Sequence, residues 1–210
     1  MHSAFYYALA FVALIIVVNL FYKIISFVWR VDDYFRHFVA DALRQYQQYF
    51  IDIMQHHIAQ QNKMENVWLK WPFRLSHAEF DQKLRPGYHF FLQKLNQIGD
   101  VLFSLHYLST QFKDNAYLQP LSDHLHACEK LYLDHFERLI QTVELFHELI
   151  ELPDIKTALI SLEKKFRELF PYSIETLDIH HDAIVSANFI CSLEDLHWLL
   201  GKLSESLQKR

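Results

Sequence analysis

Glycine and proline are scarce: the 210 residues contain three of the first and five of the second. Ordinary usage is about 7% and 5%. These residues punctuate turns, so a chain short of them has few turns and long elements. Helices meet that description better than many short strands. No alternation of apolar and polar residues runs long enough for a strand, and no internal repeat occurs. Cysteine is scarce as well. Cys128 and Cys191 both sit inside apolar helical pattern, so they are expected as buried free thiols and not as a disulfide framework. Basic charge is not in excess, because 20 Lys and Arg stand against 25 Asp and Glu, a net charge of −5. A nucleic-acid partner needs a concentrated basic face to displace counterions, and none is expected here.

Charge is missing altogether from Met1 to Tyr22. Within that stretch Ala4–Tyr22 reads AFYYALAFVALIIVVNLFY, with Asn19 its one strongly polar residue. As a helix it would cover about 28 Å, close to a bilayer hydrocarbon core of ~30 Å. Apolar character resumes after Lys23 at Ile24, Ile25, Phe27, Val28 and Trp29, leaving room for tilt. Tyr6 and Tyr7 at one end, and Tyr22 and Trp29 at the other, are placed as interfacial aromatics. A cleaved signal peptide would carry a basic start and a small-residue cleavage site. Met1-His2-Ser3 and Asn19-Leu20-Phe21-Tyr22-Lys23 supply neither. A core helix apolar on every face would need burial all round. The reading is therefore a transmembrane anchor over residues 1–30, with residues 31–210 forming a second domain. Lys23, Arg30, Arg36 and Arg44 all follow the span and no basic residue precedes it. The positive-inside tendency then puts the N-terminus outside and the C-terminal domain in the cytoplasm.

Charged residues return at Val31 and the apolar residues become periodic. Phe35, Phe38, Val39, Ala42, Tyr46, Tyr49, Phe50, Ile53 and His57 trace one helix face at gaps of three and four. Nothing interrupts the pattern between Tyr22 and Ile58, so the anchor is expected to continue as one rod. An aromatic connector with Trp68 and Trp71 follows, then a short helix with a Ser76/Glu79 capping box and a Leu75–Phe80 staple. Pro86-Gly87 opens the next helix, which carries Phe91, Leu95, Ile98, Leu102, Leu105 and Phe112. Gly99 lies within it and marks a close helix crossing. A helix from near Pro120 to Leu152 shows Leu121, Leu125, Cys128, Tyr132, Leu139, Val143, Phe146 and Ile150. Pro153-Asp154 restarts the chain into Ile155, Leu159, Leu162, Phe166 and Leu169, which stops at Pro171. The last helix begins near Leu177, with Val185, Phe189, Leu193, Leu196, Leu200, Leu203 and Leu207 on one face. The fold class is all-α: one transmembrane helix continuing into a cytoplasmic bundle of four to five long amphipathic helices. Short connections favour antiparallel neighbours, and coiled-coil-like seams could also serve self-association.

Fourteen histidines raise the question of a metal. Helical ligands must sit three or four apart, and His56-His57 and His124/His126 diverge instead. Within the His180-His181-Asp182 cluster and its neighbours, only Asp178 with His181 and Asp178 with Asp182 have usable spacing. No Glu-x-x-His pair on two helices, nucleophile elbow or glycine-rich loop occurs. No catalytic, cofactor-binding or metal-binding residue is therefore assigned, no cofactor is expected, and the chain reads as a non-enzyme. From Asp123 to Asp154 eight acids (Asp123, Glu129, Asp134, Glu137, Glu144, Glu148, Glu151, Asp154) face Lys130 and Arg138. That stretch is a solvated helix face or, alternatively, a docking surface for a basic partner.

The span at Ala4–Tyr22 passing unbroken into the rod at Val31–Ile58 resembles the C-terminal end of a known family. This is the fusaric acid resistance / aromatic acid exporter family of inner-membrane proteins. The closing Leu193-Glu194-Asp195-Leu196-His197-Trp198-Leu199-Leu200-Gly201 is similar to its ending. The resemblance implies a last membrane span leading into a cytoplasmic helical domain. A single span cannot enclose a substrate path, so the chain would be a detached terminal piece or a subunit needing other membrane chains. The expected partners are the lipid bilayer and either further copies or other membrane subunits. A sensor is the alternative, with Trp68, Trp71, Phe90, Phe103 and Trp198 lining an interior pocket for a small apolar ligand.

Overall fold

A computed structural model describes residues 2–59, 86–111, 119–145, 152–170 and 181–208. Within these helices the side chains of residues 2–16, 24–32, 56–59, 86–88, 182 and 208 fall outside the description. The described residues are all-helical: α1 (His2–Ala59), α2 (Pro86–Gln111), a 3-10 turn (Gln119–Leu121), α3 (Ser122–Leu145), α4 (Ile155–Leu169) and α5 (His181–Gln208). The chain divides into two compact units, Met1–Val39 and Ala40–Arg210, and α1 runs unbroken through the division.

In the first unit, Val17 to Lys23 are exposed on every side of the helix. Among the described residues, no helix is long and apolar enough to cross a membrane. Of the expected span Ala4–Tyr22, side chains are described only from Val17 to Tyr22.

The second unit is a bundle built on the expected stripes. Ala42, Tyr46, Tyr49, Phe50 and Ile53 of α1 are buried, as are Phe91, Leu95, Ile98, Leu102 and Leu105 of α2. The same holds for Leu125, Cys128, Tyr132, Leu139 and Val143 of α3, and for Val185, Phe189, Leu193, Leu196, Leu200 and Leu203 of α5. Phe50 is fully buried, against Tyr132 (ring centroids 5.2 Å) and Phe136 (6.3 Å) of α3. Burying a side chain of that size contributes roughly 1.5–3 kcal/mol. α2 packs along α5, and α4 lays its buried Ile155, Leu159, Leu162 and Phe166 against α3 and α5.

Paired residues give the helix directions. Tyr46 meets Leu95 and Tyr49 meets His106, so α1 and α2 run the same way. Gln111 meets His181 and Lys94 meets Trp198, so α5 opposes α2. Arg44 meets Glu144 and Phe50 meets Tyr132, so α3 opposes α1. Not every packed pair is antiparallel, then: α3 and α5 share a direction because α4 intervenes in sequence. The return between α1 and α2 lies in residues 60–85, outside the described residues, with the expected Ser76/Glu79 capping box and the Leu75–Phe80 staple.

Several local expectations need correcting. The helix expected to reach Leu152 is described to Leu145; Leu152–Asp154 is not helical, and residues 146–151 lie outside the description. Asp154 instead caps α4, accepting from the Thr157 amide (3.1 Å) and the Thr157 hydroxyl (2.6 Å). Cys128 is buried, but Cys191 is exposed. Cys191 follows Phe189 by two residues, about 200° around the helix from that core position.

Candidate functional site

Two buried tyrosines tie neighbouring helices together through the backbone. Tyr46 of α1 donates to the Leu95 carbonyl of α2 (3.0 Å). A Cβ at Gly99 would lie 3.1 Å from that hydroxyl oxygen, so the expected close crossing is real and glycine makes room for it. Tyr132 of α3 donates in the same way to the Leu193 carbonyl of α5. Burial raises both phenols, aided at Tyr46 by Asp100 and at Tyr132 by Cys128 and Glu194, with a backbone hydrogen bond to His197 opposing the rise at Tyr132. Both therefore stay protonated and remain donors. Burial also pushes the Cys128 thiol up to about 11, which keeps it a thiol at neutral pH.

The α3/α5 seam carries a second polar contact one helical turn from Tyr132. His135 is 1% exposed, and its Nε2 lies 3.1 Å from Ser204 Oγ. The Ser204 hydroxyl donates its single proton to the Leu200 carbonyl (2.8 Å). Ser204 Oγ can only accept from His135, so the imidazole carries its proton on Nε2. Nδ1 is then a bare acceptor, buried and without a hydrogen-bond partner among the described residues. His197 of α5, half-buried, likewise has a buried Nδ1 with no such partner. Burial lowers the His135 imidazole to about 4, with His197 adding to the fall, Asp134 opposing it and Arg138 adding a little. Burial lowers His197 too, against Asp154, while Lys156 adds to the fall. Neutral imidazoles packed between helices are the result.

Several carboxylates of the acidic stretch have partners within the chain. Asp134 pairs with Arg138 (2.9 Å), Glu129 with His126 (3.1 Å), and Glu137 accepts from Gln141 (2.9 Å). Glu144 pairs across helices with Arg44, which also holds Asp41 at 3.0 Å. Asp154 is the cap of α4. Glu148 and Glu151 lie outside the described residues.

Of the histidines considered for a metal, His126 is exposed and paired with Glu129, and His124 is half-buried. His181 is exposed, with Nε2 3.3 Å from the Gln111 carbonyl oxygen. The side chains of His56, His57 and Asp182, and all of Asp178, fall outside the description. Among the described residues no group of three or more His, Cys, Asp or Glu is placed to hold a metal ion.

Three of the five aromatic residues expected to line a pocket are at the surface. Phe90, Phe103 and Trp198 are exposed, and Trp68 and Trp71 lie outside the described residues. The ammonium of Lys94 sits over the rings of Trp198 (4.9 Å) and Phe90 (5.5 Å) and donates to Gln97 (2.8 Å). That is a cation–π clasp at the α2/α5 surface, not an interior cavity wall. Sequence reasoning missed His135 and Ser204. The readable signal was their spacing, since His135 follows Tyr132 by three and Ser204 follows Leu200 by four, both stripe positions. Compared with family models, with curated proteins and with solved structures, the chain finds no match in any of the three.

Proposed function

We propose that this chain is a single-pass inner-membrane protein with a non-enzymatic role, its N-terminus outside and its helical bundle in the cytoplasm serving assembly. In this reading it works as a subunit, or a detached terminal piece, of an exporter-like membrane complex. The observation that carries it is the turn and a half from Val17 to Tyr22. Val17, Val18, Leu20, Phe21 and Tyr22 are between 54% and 72% exposed, and together they cover more than half the circumference of one helix. Large apolar side chains exposed over so wide a face are costly in water and at home in hydrocarbon. They continue a charge-free run of bilayer length, and that run shares helix α1 with the bundle. The basic residues that follow favour the cytoplasmic placement. The assembly role rests on the family resemblance and on a single span being too little to enclose a path.

Alkaline carbonate extraction of membranes tests the placement: the protein should stay with the lipid pellet, and release into the wash would overturn it. Crosslinking in native membranes tests the role. Discrete oligomers or hetero-complexes support assembly, and a strictly monomeric protein removes it.

A further inference from the structure

The core of the bundle is not uniformly apolar, and one polar group in it is placed to respond to acid. His135 packs between α3 and α5, its Nε2–H spent on Ser204 and its Nδ1 facing no donor or acceptor among the described residues. Ser204 serves Nε2 alone, accepting there while its own proton goes to the Leu200 carbonyl. We propose that mild acid opens the α3/α5 seam: a proton arriving at Nδ1 of His135 places a charge and an unmatched N–H between two packed helices.

The surroundings oppose that proton. On α3, Asp134 would favour it, but Asp134 is engaged with Arg138, whose own charge disfavours it. From α5, His197 adds repulsion whenever it is charged. From the α4 side, Asp154 and Lys156 act with opposite sign on His197. The buried face of α4 itself is Ile155, Leu159, Leu162 and Phe166. α1 presents Gln47 and Phe50 to this stretch of α3, and its Arg44 is occupied by Glu144 further along. Among the described residues the closed seam offers no new acceptor, whereas the opened one offers water. An imidazole whose value falls from 6.5 to about 4 on packing binds its proton in the open state first. Stability from this contact is therefore whole above about 6.5 and is lost as pH falls toward about 4.

Hydrogen exchange by mass spectrometry on the full chain in detergent tests this, with intrinsic rates corrected for pH. The populations of opened α3 and α5 should rise about tenfold for each pH unit below 6.5, as linkage to one proton requires. His135→Gln keeps a donor for Ser204 but cannot titrate, and it should lose that pH dependence. A flat response in the unaltered protein between pH 7 and 5 overturns the proposal. So does an acid response of His135→Gln equal to that of the unaltered protein. Should the variant not fold, nitrogen NMR of labelled histidine reads the same question in the unaltered chain. The expected spectrum has His135 protonated on Nε2 and uncharged for as long as α3 and α5 stay protected. A His135 imidazole that becomes charged while α3 and α5 keep their protection sinks the idea.

Discussion

Between Val17 and Lys23 helix α1 exposes every side chain, although Val17, Val18, Leu20, Phe21 and Tyr22 are large and apolar or aromatic. Between Ala40 and Met54 the same helix buries Ala42, Leu43, Tyr46, Phe50 and Ile53 while exposing Asp41, Arg44, Gln45 and Gln48. The second pattern needs only neighbours on one side, which α2 and α3 provide through Leu95, Tyr132 and Phe136. The first pattern exposes large apolar side chains over more than half of the helix surface, which the proposed membrane placement would surround with hydrocarbon. One helix therefore carries two different demands, and each can be tested without touching the other.

The largest effect is expected in the bundle. Phe50→Ala should cost about 3–5 kcal/mol in reversible unfolding, from lost transfer energy and the cavity left between Tyr132 and Phe136. Phe21→Ala should stay within about 0.5 kcal/mol in the same assay, as an exposed position does. Equal losses would erase the contrast. The reverse asymmetry should hold for membrane retention. Val18→Arg should disfavour insertion, by less than the roughly 2.5–3.5 kcal/mol of an arginine at mid-span, whereas Gln48→Arg should leave the membrane fraction unchanged. Insertion-reporter or carbonate-pellet measurements would check this, and parity between the two variants would break the comparison.

A finer test concerns the crossing of α1 with α2. Tyr46→Phe should cost about 1 kcal/mol, the usual net worth of a buried hydrogen bond. Gly99→Ala should destabilise while the Tyr46 hydroxyl is present, because the new Cβ presses on it at 3.1 Å. In the Tyr46→Phe background the same change should raise stability by about 0.5–1 kcal/mol, the helix preference of alanine over glycine. That change of sign is a coupling which denaturant melts of the four proteins would show. The smallest effect belongs to the surface. Arg44→Ala should cost less than about 1 kcal/mol, and the loss should shrink as salt is added, because the guanidinium is exposed despite its contacts with Glu144 and Asp41.

Much of the bundle was legible because burial follows helical period. Each stripe named from three-and-four spacing is buried wherever its side chains are described, apart from half-buried Phe38, Leu169 and Leu207. Gly99 and the start of α4 at Asp154 were legible for a local reason: close approach and capping belong to one or two residues. What was not legible depended on partners distant in sequence. Cys191 looked like Cys128 until the core face of α5 was known. Trp198 and Phe90 looked like interior residues, but they flank Lys94 at the surface. The acidic stretch read as a solvated face or a docking surface, and its pairing of Glu144 with Arg44, one hundred residues away, was not readable from spacing.

The amino-acid sequence by itself determined that this protein is helical, where its stripes lie and that its first stretch carries no charge. Periodicity and composition act through nearest neighbours along a helix, and they need no tertiary partner to be read. Only the tertiary structure decided that α3 and α5 run side by side in the same direction, and that Tyr132 spends its hydroxyl on Leu193. It alone set His135 against a serine whose proton was already committed, since a hydrogen bond across sixty-nine residues depends on which faces meet.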